Sequence, residues 1–160
     1  IIVIGPDGVG KSTIGRALAD DLGWVFVDGD DHRSEARRLP DRSRRDGHDE
    51  SERSRLRELH GMIEQAMARR EHLVLACAAA TSAERDMLQD GLRSVRFVCL
   101  KAPRAELELR LRTRPGHLVD TARLHRQLVD FEDAGDQAVV LDGTKEPEIL
   151  VPMIRREFGL

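Results

Sequence analysis

Short, mostly apolar runs stand at Ile1–Ile4, Trp24–Asp28, His72–Ala78, Val95–Leu100 and Ala138–Asp142, each followed by polar or amphipathic sequence. Runs that stay apolar without alternation belong to strands covered on both faces, and so to a parallel sheet. Between them the apolar residues return at helical spacing. Ile14, Leu18 and Leu22 put one apolar face on a helix over Lys11–Leu22. Further helices are expected over Ser51–Arg69, Ser82–Asp90, Arg104–Arg112, Thr121–Glu132 and Glu148–Phe158. In the last, Ile149, Leu150, Met153, Ile154 and Phe158 share a face, and Pro152 is expected to kink it. Strand alternating with helix predicts an α/β domain in three layers, doubly wound around five parallel strands, with ligands at the carboxyl ends of the strands.

The first run leads straight into Gly5-Pro6-Asp7-Gly8-Val9-Gly10-Lys11-Ser12, the G-x-x-x-x-G-K-[ST] pattern of a phosphate-binding P-loop. Glycine lets the backbone wrap closely around a polyphosphate and present its N–H groups with the positive end of the following helix. Lys11 is then expected to reach the β- and γ-phosphates, and the Ser12 hydroxyl to hold Mg²⁺. The sequence thus predicts a nucleoside triphosphate site built from Gly5, Asp7, Gly8, Val9, Gly10, Lys11, Ser12 and Thr13.

Length and charge narrow the picture. At 160 residues the chain suits one domain, 1–160, able to bury roughly two thirds of its unfolded surface. A net charge of −3 argues against a general nucleic-acid binder. No apolar stretch is long enough for a membrane span and the N-terminus is unlike an export signal, so a cytoplasmic protein is expected, trimmed by a few residues ahead of Ile1 because it lacks an initiating Met. Cys77 and Cys99, each inside an apolar run, read as buried thiols on neighbouring strands in a reducing compartment. Trp24 and Phe26 read as core. His48, His60, His72 and His125 have no partners at metal-ligand spacing. The least core-like stretch is Asp31–Arg57, where nine arginines face seven acids. It reads either as a solvated cap, at about 31–57, or as an anion-attracting wall over a substrate.

Two strand ends carry candidate chemistry. After the second run stands Val27-Asp28-Gly29-Asp30-Asp31-His32. Carboxylates at i and i+2 beside a P-loop can orient an acceptor hydroxyl, with Asp30 taking its proton; the same residues also suit a plain Asx turn cornered by Gly29. After the fourth run come Arg110, Arg112 and Arg114, followed by Pro115, Gly116 and His117. They suit either a lid, at about 112–120, that brings guanidinium groups onto the transferring phosphate, or a solvated helix end favoured by the macrodipole.

Taken in order, the P-loop, the Asp28-Gly29-Asp30 turn with His32, Cys77 closing the third strand, Arg85-Asp86, and Arg114-Pro115-Gly116-His117 followed by Gln127 resemble the gluconate kinase family. That resemblance implies an adenylate-kinase-like fold, ATP-dependent phosphorylation of the 6-hydroxyl of D-gluconate, and commonly a homodimer. It gives Lys11 and Ser12 to ATP and Mg²⁺, places Asp30 and His32 at the sugar acid, and places Arg112, Arg114 and His117 in the lid motif; the residues expected to carry catalysis are Lys11, Asp30, Arg112 and Arg114. Asp28, Asp30, His32, Arg53, Arg85, His117 and Gln127 fall on the sugar-acid side. The acceptor half departs from the family pattern: Cys77-Ala78-Ala79-Ala80-Thr81 replaces Cys-Ser-Ala-Leu-Lys, and Glu52-Arg53-Ser54-Arg55-Leu56 stands where the family has Arg and Pro-Trp-Leu. Two further readings share the nucleotide half: a kinase with a shikimate-like or adenylylsulfate-like acceptor, and a nucleotide-binding relative without kinase activity.

Overall fold

The computed structural model describes residues 1–30, 45–113 and 134–160, with 124, 125, 128, 129 and 131; of residues 45–49 and 51 it describes the backbone alone. Strands β1 (Ile2–Ile4), β2 (Val25–Asp28), β3 (Leu73–Cys77), β4 (Phe97–Lys101) and β5 (Ala138–Asp142) form one sheet in the order β2-β3-β1-β4-β5. Every pairing is parallel. Among the described residues the helices are α1 (Lys11–Leu22), α2 (Arg45–Ala68), α3 (Ser82–Gln89), α4 (Arg104–Thr113) and α5 (Pro147–Phe158).

Strand periodicity sorts the core into two halves. Val3, Val74, Val98 and Leu100 pack on one face of the sheet with Ile14 and Leu18 of α1, Leu107 of α4 and Leu150, Val151 and Ile154 of α5. Ile2, Ile4, Leu75, Cys77, Phe97 and Cys99 pack on the other with Leu56, Leu59 and Ile63 of α2 and Leu88 of α3. The result is the expected α/β/α sandwich. Its strand order reverses at β1, which puts the loop after β1 in the crevice where such sheets bind ligands.

Several expectations need correction. Cys77 and Cys99 are buried free thiols, but both pair with Ile4, so β1 lies between their strands. Two strand spacings separate them by roughly 10 Å, beyond disulfide reach. β2 is an edge strand rather than one buried on both faces, with Val25 exposed and Phe26 half-buried. Trp24 is half-buried as well and stacks on His72 at 4.5 Å between ring centroids, while Arg16 lies over the Phe26 ring. Helix α2 starts at Arg45 instead of Ser51, so the second half of the charged Asp31–Arg57 stretch is helical. The first half, to residue 44, lies outside the described residues. α5 runs through Pro152, in line with the single helix expected over Glu148–Phe158, and its apolar face packs with α1. Of the helix expected over Thr121–Glu132, residues 124, 125, 128 and 129 are described and helical, with Leu124 buried.

Candidate active site

The P-loop follows β1 and begins α1. Gly5, Gly8 and Gly10 have φ of +151°, +84° and +104°, a region that favours glycine. A Cβ on Gly5 would sit 2.6 Å from the Leu100 carbonyl oxygen, and one on Gly8 would press Leu111 of α4 at 3.0 Å. α1 opens at Gly10 with no side-chain cap, so the first N–H groups of the helix, from Lys11 to Thr13, are left for another acceptor. The chemistry of that opening matches an anion, which is the fit a polyphosphate needs. Lys11 is 5 % exposed. Its Nζ donates to the Pro6 carbonyl at 3.1 Å and lies 3.7 Å from Asp7 Oδ1. Ser12, half-buried, and Thr13, exposed, occupy the first turn of α1.

The second turn, after β2, is shaped by close approach to β3. The Gly29 amide donates to the Ala76 carbonyl at 2.7 Å, and a Cβ on Gly29 would meet Ala76 O and Cys77 Cβ at 3.0 Å each. The Asp30 amide donates to Asp28 Oδ1 at 3.0 Å, an Asx turn. Both carboxylates therefore stand at the carboxyl edge of the sheet, with different duties. His32 lies outside the described residues.

Beneath this turn sits Arg55, 4 % exposed, a residue the sequence reading passed over in favour of Arg53, which is exposed. Its Nε and Nη2 donate to Glu52, Nη2 also to the Ala78 carbonyl at 3.1 Å, and Nη1 to the Gly29 carbonyl at 3.4 Å. Burial works against its charge, yet the charge of Glu52 and the hydrogen bond to it hold the guanidinium above its ordinary pKa, with smaller support from Cys77 and Asp30. The signal that points to Arg55 is its phase: it is the basic residue on the face of α2 that carries Leu56, Leu59 and Ile63. Burial pushes the neighbouring Cys77 thiol up to about 12, against the opposing charges of Arg55 and Lys11.

Arg85, expected on the sugar-acid side, is 1 % exposed and ties structure together. It donates to Gln137 Oε1 at 2.9 Å and to the Ala80 carbonyl at 3.0 Å, joining the end of β3 to the approach to β5. Thr81 caps α3 in a reciprocal box with Glu84.

On the opposite side of the P-loop, α4 carries Arg110. Its Nη1 donates to the Gly143 carbonyl at 2.9 Å and to the Val9 carbonyl at 3.3 Å, while Nε pairs with Glu106 at 2.8 Å. Arg110 thus bridges the P-loop and the loop after β5. That loop is itself ordered by Asp142, whose carboxylate accepts from the Thr144 hydroxyl at 2.7 Å and amide at 3.0 Å, which holds its pKa below the usual value. Arg112 is exposed in the last turn of α4. Arg114, His117 and Gln127, and with them the expected lid beyond Thr113, lie outside the described residues.

The geometry has counterparts among known proteins. The AAA domain family model matches residues 1–134. Gluconokinase of Gluconobacter oxydans (strain 621H) is 28 % identical over 99 % of this chain and 90 % of its own length. The probable gluconokinase of Schizosaccharomyces pombe is 30 % identical over 82 % of this chain and 71 % of its own. A solved gluconokinase from Sinorhizobium meliloti 1021 superposes with a TM-score of 0.73 at 26 % identity, covering 94 % of this chain and 86 % of that one. With a P-loop opening onto an uncapped helix and these relatives aligned along most of its length, the chain is an ATP-dependent kinase that belongs to the AAA domain family and, by these relatives, to the gluconokinase family.

Proposed function

We propose that this kinase transfers the γ-phosphoryl group of ATP to the 6-hydroxyl of D-gluconate or a closely related sugar acid. The observation that carries this reading is the placement of two turns at one edge of the sheet: the P-loop after β1 and Asp28-Gly29-Asp30 after β2, with β3 between their strands. A nucleotide phosphate in the first and an acceptor hydroxyl at the second meet across the end of β3.

Each residue then has a role. The P-loop amides and Lys11 hold the β- and γ-phosphates. Ser12 would hold Mg²⁺, and the uncapped start of α1 beside it suits the metal–phosphate complex; when bound, the ion offsets the negative charge on the phosphate oxygens. Asp30 accepts the proton of the acceptor hydroxyl as its oxygen bonds to the γ-phosphorus, and the β–γ bridging oxygen leaves with ADP. Lys11 favours that departure by facing the charge that grows on the leaving oxygen. Arg112 and Arg114 belong to the closing side of the site in this reading, and His32, Arg53, Arg85, His117 and Gln127 to the sugar-acid side. A homodimer in the cytoplasm accompanies the reading through the family resemblance.

The test is ADP release, measured by coupled assay, over a panel of sugar acids, polyols and shikimate, with the phosphorylated carbon located by NMR. Turnover is expected on D-gluconate or a neighbouring sugar acid, with phosphate on the terminal hydroxyl. In parallel, Lys11→Met should lose transfer by roughly 10²-fold or more, because it removes a charge-stabilising contact worth several kcal/mol in such sites. Preferential turnover of a polyol or shikimate, or none on any acceptor, would overturn the assignment.

A further inference from the structure

Arg55 is a charge placed where a protein ordinarily keeps none. A buried ion pair is weak support for stability, since apolar residues of similar volume usually serve as well. Its geometry suggests what else it does. The guanidinium spans two strand ends: Gly29, immediately before Asp30, and Ala78, immediately after Cys77. The Gly29 carbonyl and the Asp30 amide belong to one planar peptide unit. Arg55 holds the oxygen of that unit from beneath, and Asp28 Oδ1 holds its nitrogen from the other side. The Gly29 amide, in the preceding unit, is fixed to Ala76. Two successive peptide units leading into Asp30 are therefore anchored, so the Cα of Asp30 stands where these bonds put it.

We propose that Arg55, oriented by Glu52, is a positioning residue for the acceptor half of the site: it sets the location of Asp30 by strapping the turn after β2 to the end of β3. The inference rests on the kinase reading in which Asp30 receives the acceptor proton. Arg55 itself need touch neither substrate nor nucleotide. Glu52 supplies the compensating charge, from one helical turn earlier on α2, and fixes the guanidinium plane so that its remaining donors reach both carbonyls. The strap lies within Glu52–Leu56, a segment in which this chain departs from the gluconate kinase pattern, so the placement of the acceptor-side carboxylate depends here on a local device.

The experiment compares wild type with Arg55→Met and Arg55→Lys in steady-state kinetics, nucleotide titration and amide hydrogen exchange. Arg55→Met should lower kcat by about tenfold or more, as expected when a reacting group is misplaced by a fraction of an ångström. KM for ATP and affinity for a non-hydrolysable ATP analogue should stay within about twofold. Arg55→Lys, with a cation that reaches one carbonyl at a time, should recover part of the loss. Exchange at the Gly29 and Asp30 amides should quicken by about tenfold, with the Ile14 amide, bonded to Gly10 in α1, unchanged. Unchanged kcat, unchanged exchange at Gly29 and Asp30, or equal quickening throughout the domain would each overturn the proposal. If wild type transfers phosphate to no acceptor, the kinase reading falls and the local exchange result alone decides for or against the strap. Should Arg55→Met fail to fold, Glu52→Gln keeps the guanidinium but loosens it, and the same split between kcat and ATP binding is expected at smaller size.

Discussion

Asp28 and Asp30 divide one turn between them: Asp28 Oδ1 accepts the Asp30 amide at 3.0 Å, so the first carboxylate is committed to shaping the backbone that presents the second. An amide oxygen can accept the same bond. Asp28→Asn should therefore keep activity within a few-fold, while Asp28→Ala, which loses the acceptor, should cost more. Asp30→Asn should lower transfer by roughly 10²-fold, the scale of a lost general base, with affinity for an ATP analogue unchanged. Kinetics with parallel nucleotide titration checks the series. Equal losses of nucleotide affinity and turnover in Asp30→Asn would move Asp30 to the nucleotide side.

Arg110 joins two loops that also meet where the Val9 side chain lies against Gly143. It donates to Val9 in the P-loop and to Gly143 after β5, whose own amide is fixed to the Lys101 carbonyl at 2.7 Å. Its pair with Glu106 is half-exposed and adds little. Removing the two backbone bonds should cost about 1 kcal/mol each at most. We expect Arg110→Ala to weaken ATP binding by roughly tenfold while leaving kcat at saturating ATP largely intact. Isothermal titration with an ATP analogue measures it; unchanged affinity would show that the bridge is not felt by the nucleotide.

Most of this architecture is written in local pattern. The boundaries of α1 follow from Gly10, the spacing of Ile14 and Leu18, and Gly23, whose φ of +68° ends the helix. The five strands follow from apolar runs. What pattern does not carry is which strand lies at the edge: β2 is as apolar as its neighbours, and its exposure comes from sheet order alone. The separation of Cys77 from Cys99 by β1 has the same origin. In the site, the P-loop is legible because its chemistry needs fixed spacing in sequence. The contacts that brace the turns at the strand ends are assembled across distance. Arg55 reaches residues 26 and 23 positions away, and Arg110 reaches Val9 across 101, contacts that no short motif encodes. Arg85 shows the converse, a motif-like arginine whose described bonds tie Ala80 to Gln137.

Thr81 makes the acceptor side harder to redesign than sequence comparison suggests. Installing the family's residues through Ala78→Ser with Thr81→Lys adds a cation beyond the end of β3 but removes the cap of α3, where the Thr81 hydroxyl accepts from the Glu84 amide at 3.2 Å and Glu84 answers to the Thr81 amide at 3.0 Å. Loss of such a cap costs about 1 kcal/mol. Thr81→Ala should lower the urea midpoint by the corresponding amount with no gain in activity. The double variant should show the same loss of stability, and improved gluconate turnover only if the new lysine engages the acceptor carboxylate. Turnover improved equally in Thr81→Ala would rule out that engagement.

The alkaline limb of stability should report Cys77. Its thiol is buried among apolar residues at the end of β3, and burial pushes it up to about 12 from an ordinary value of 9.0, with Arg55 and Lys11 opposing. Below pH 9 both folded and unfolded chains keep the proton, and the contribution is complete. Above it the unfolded chain ionises while the folded one does not, so stability falls as pH rises toward the folded value, by up to about 1.4 kcal/mol per pH unit from this group. The chain has no tyrosine, and its second thiol, Cys99, is common to both proteins compared. Urea midpoints measured from pH 7.5 to 10.5 should drop for wild type, and drop less steeply for Cys77→Ala, whose cavity lowers stability at every pH without a titrating group. In the folded protein at pH 8, Cys77 should resist a thiol-alkylating reagent and react at the rate set by global unfolding. Parallel pH slopes in the two proteins, or alkylation of Cys77 faster than unfolding, would mean that the thiol is far more accessible than its burial beside Arg55 implies.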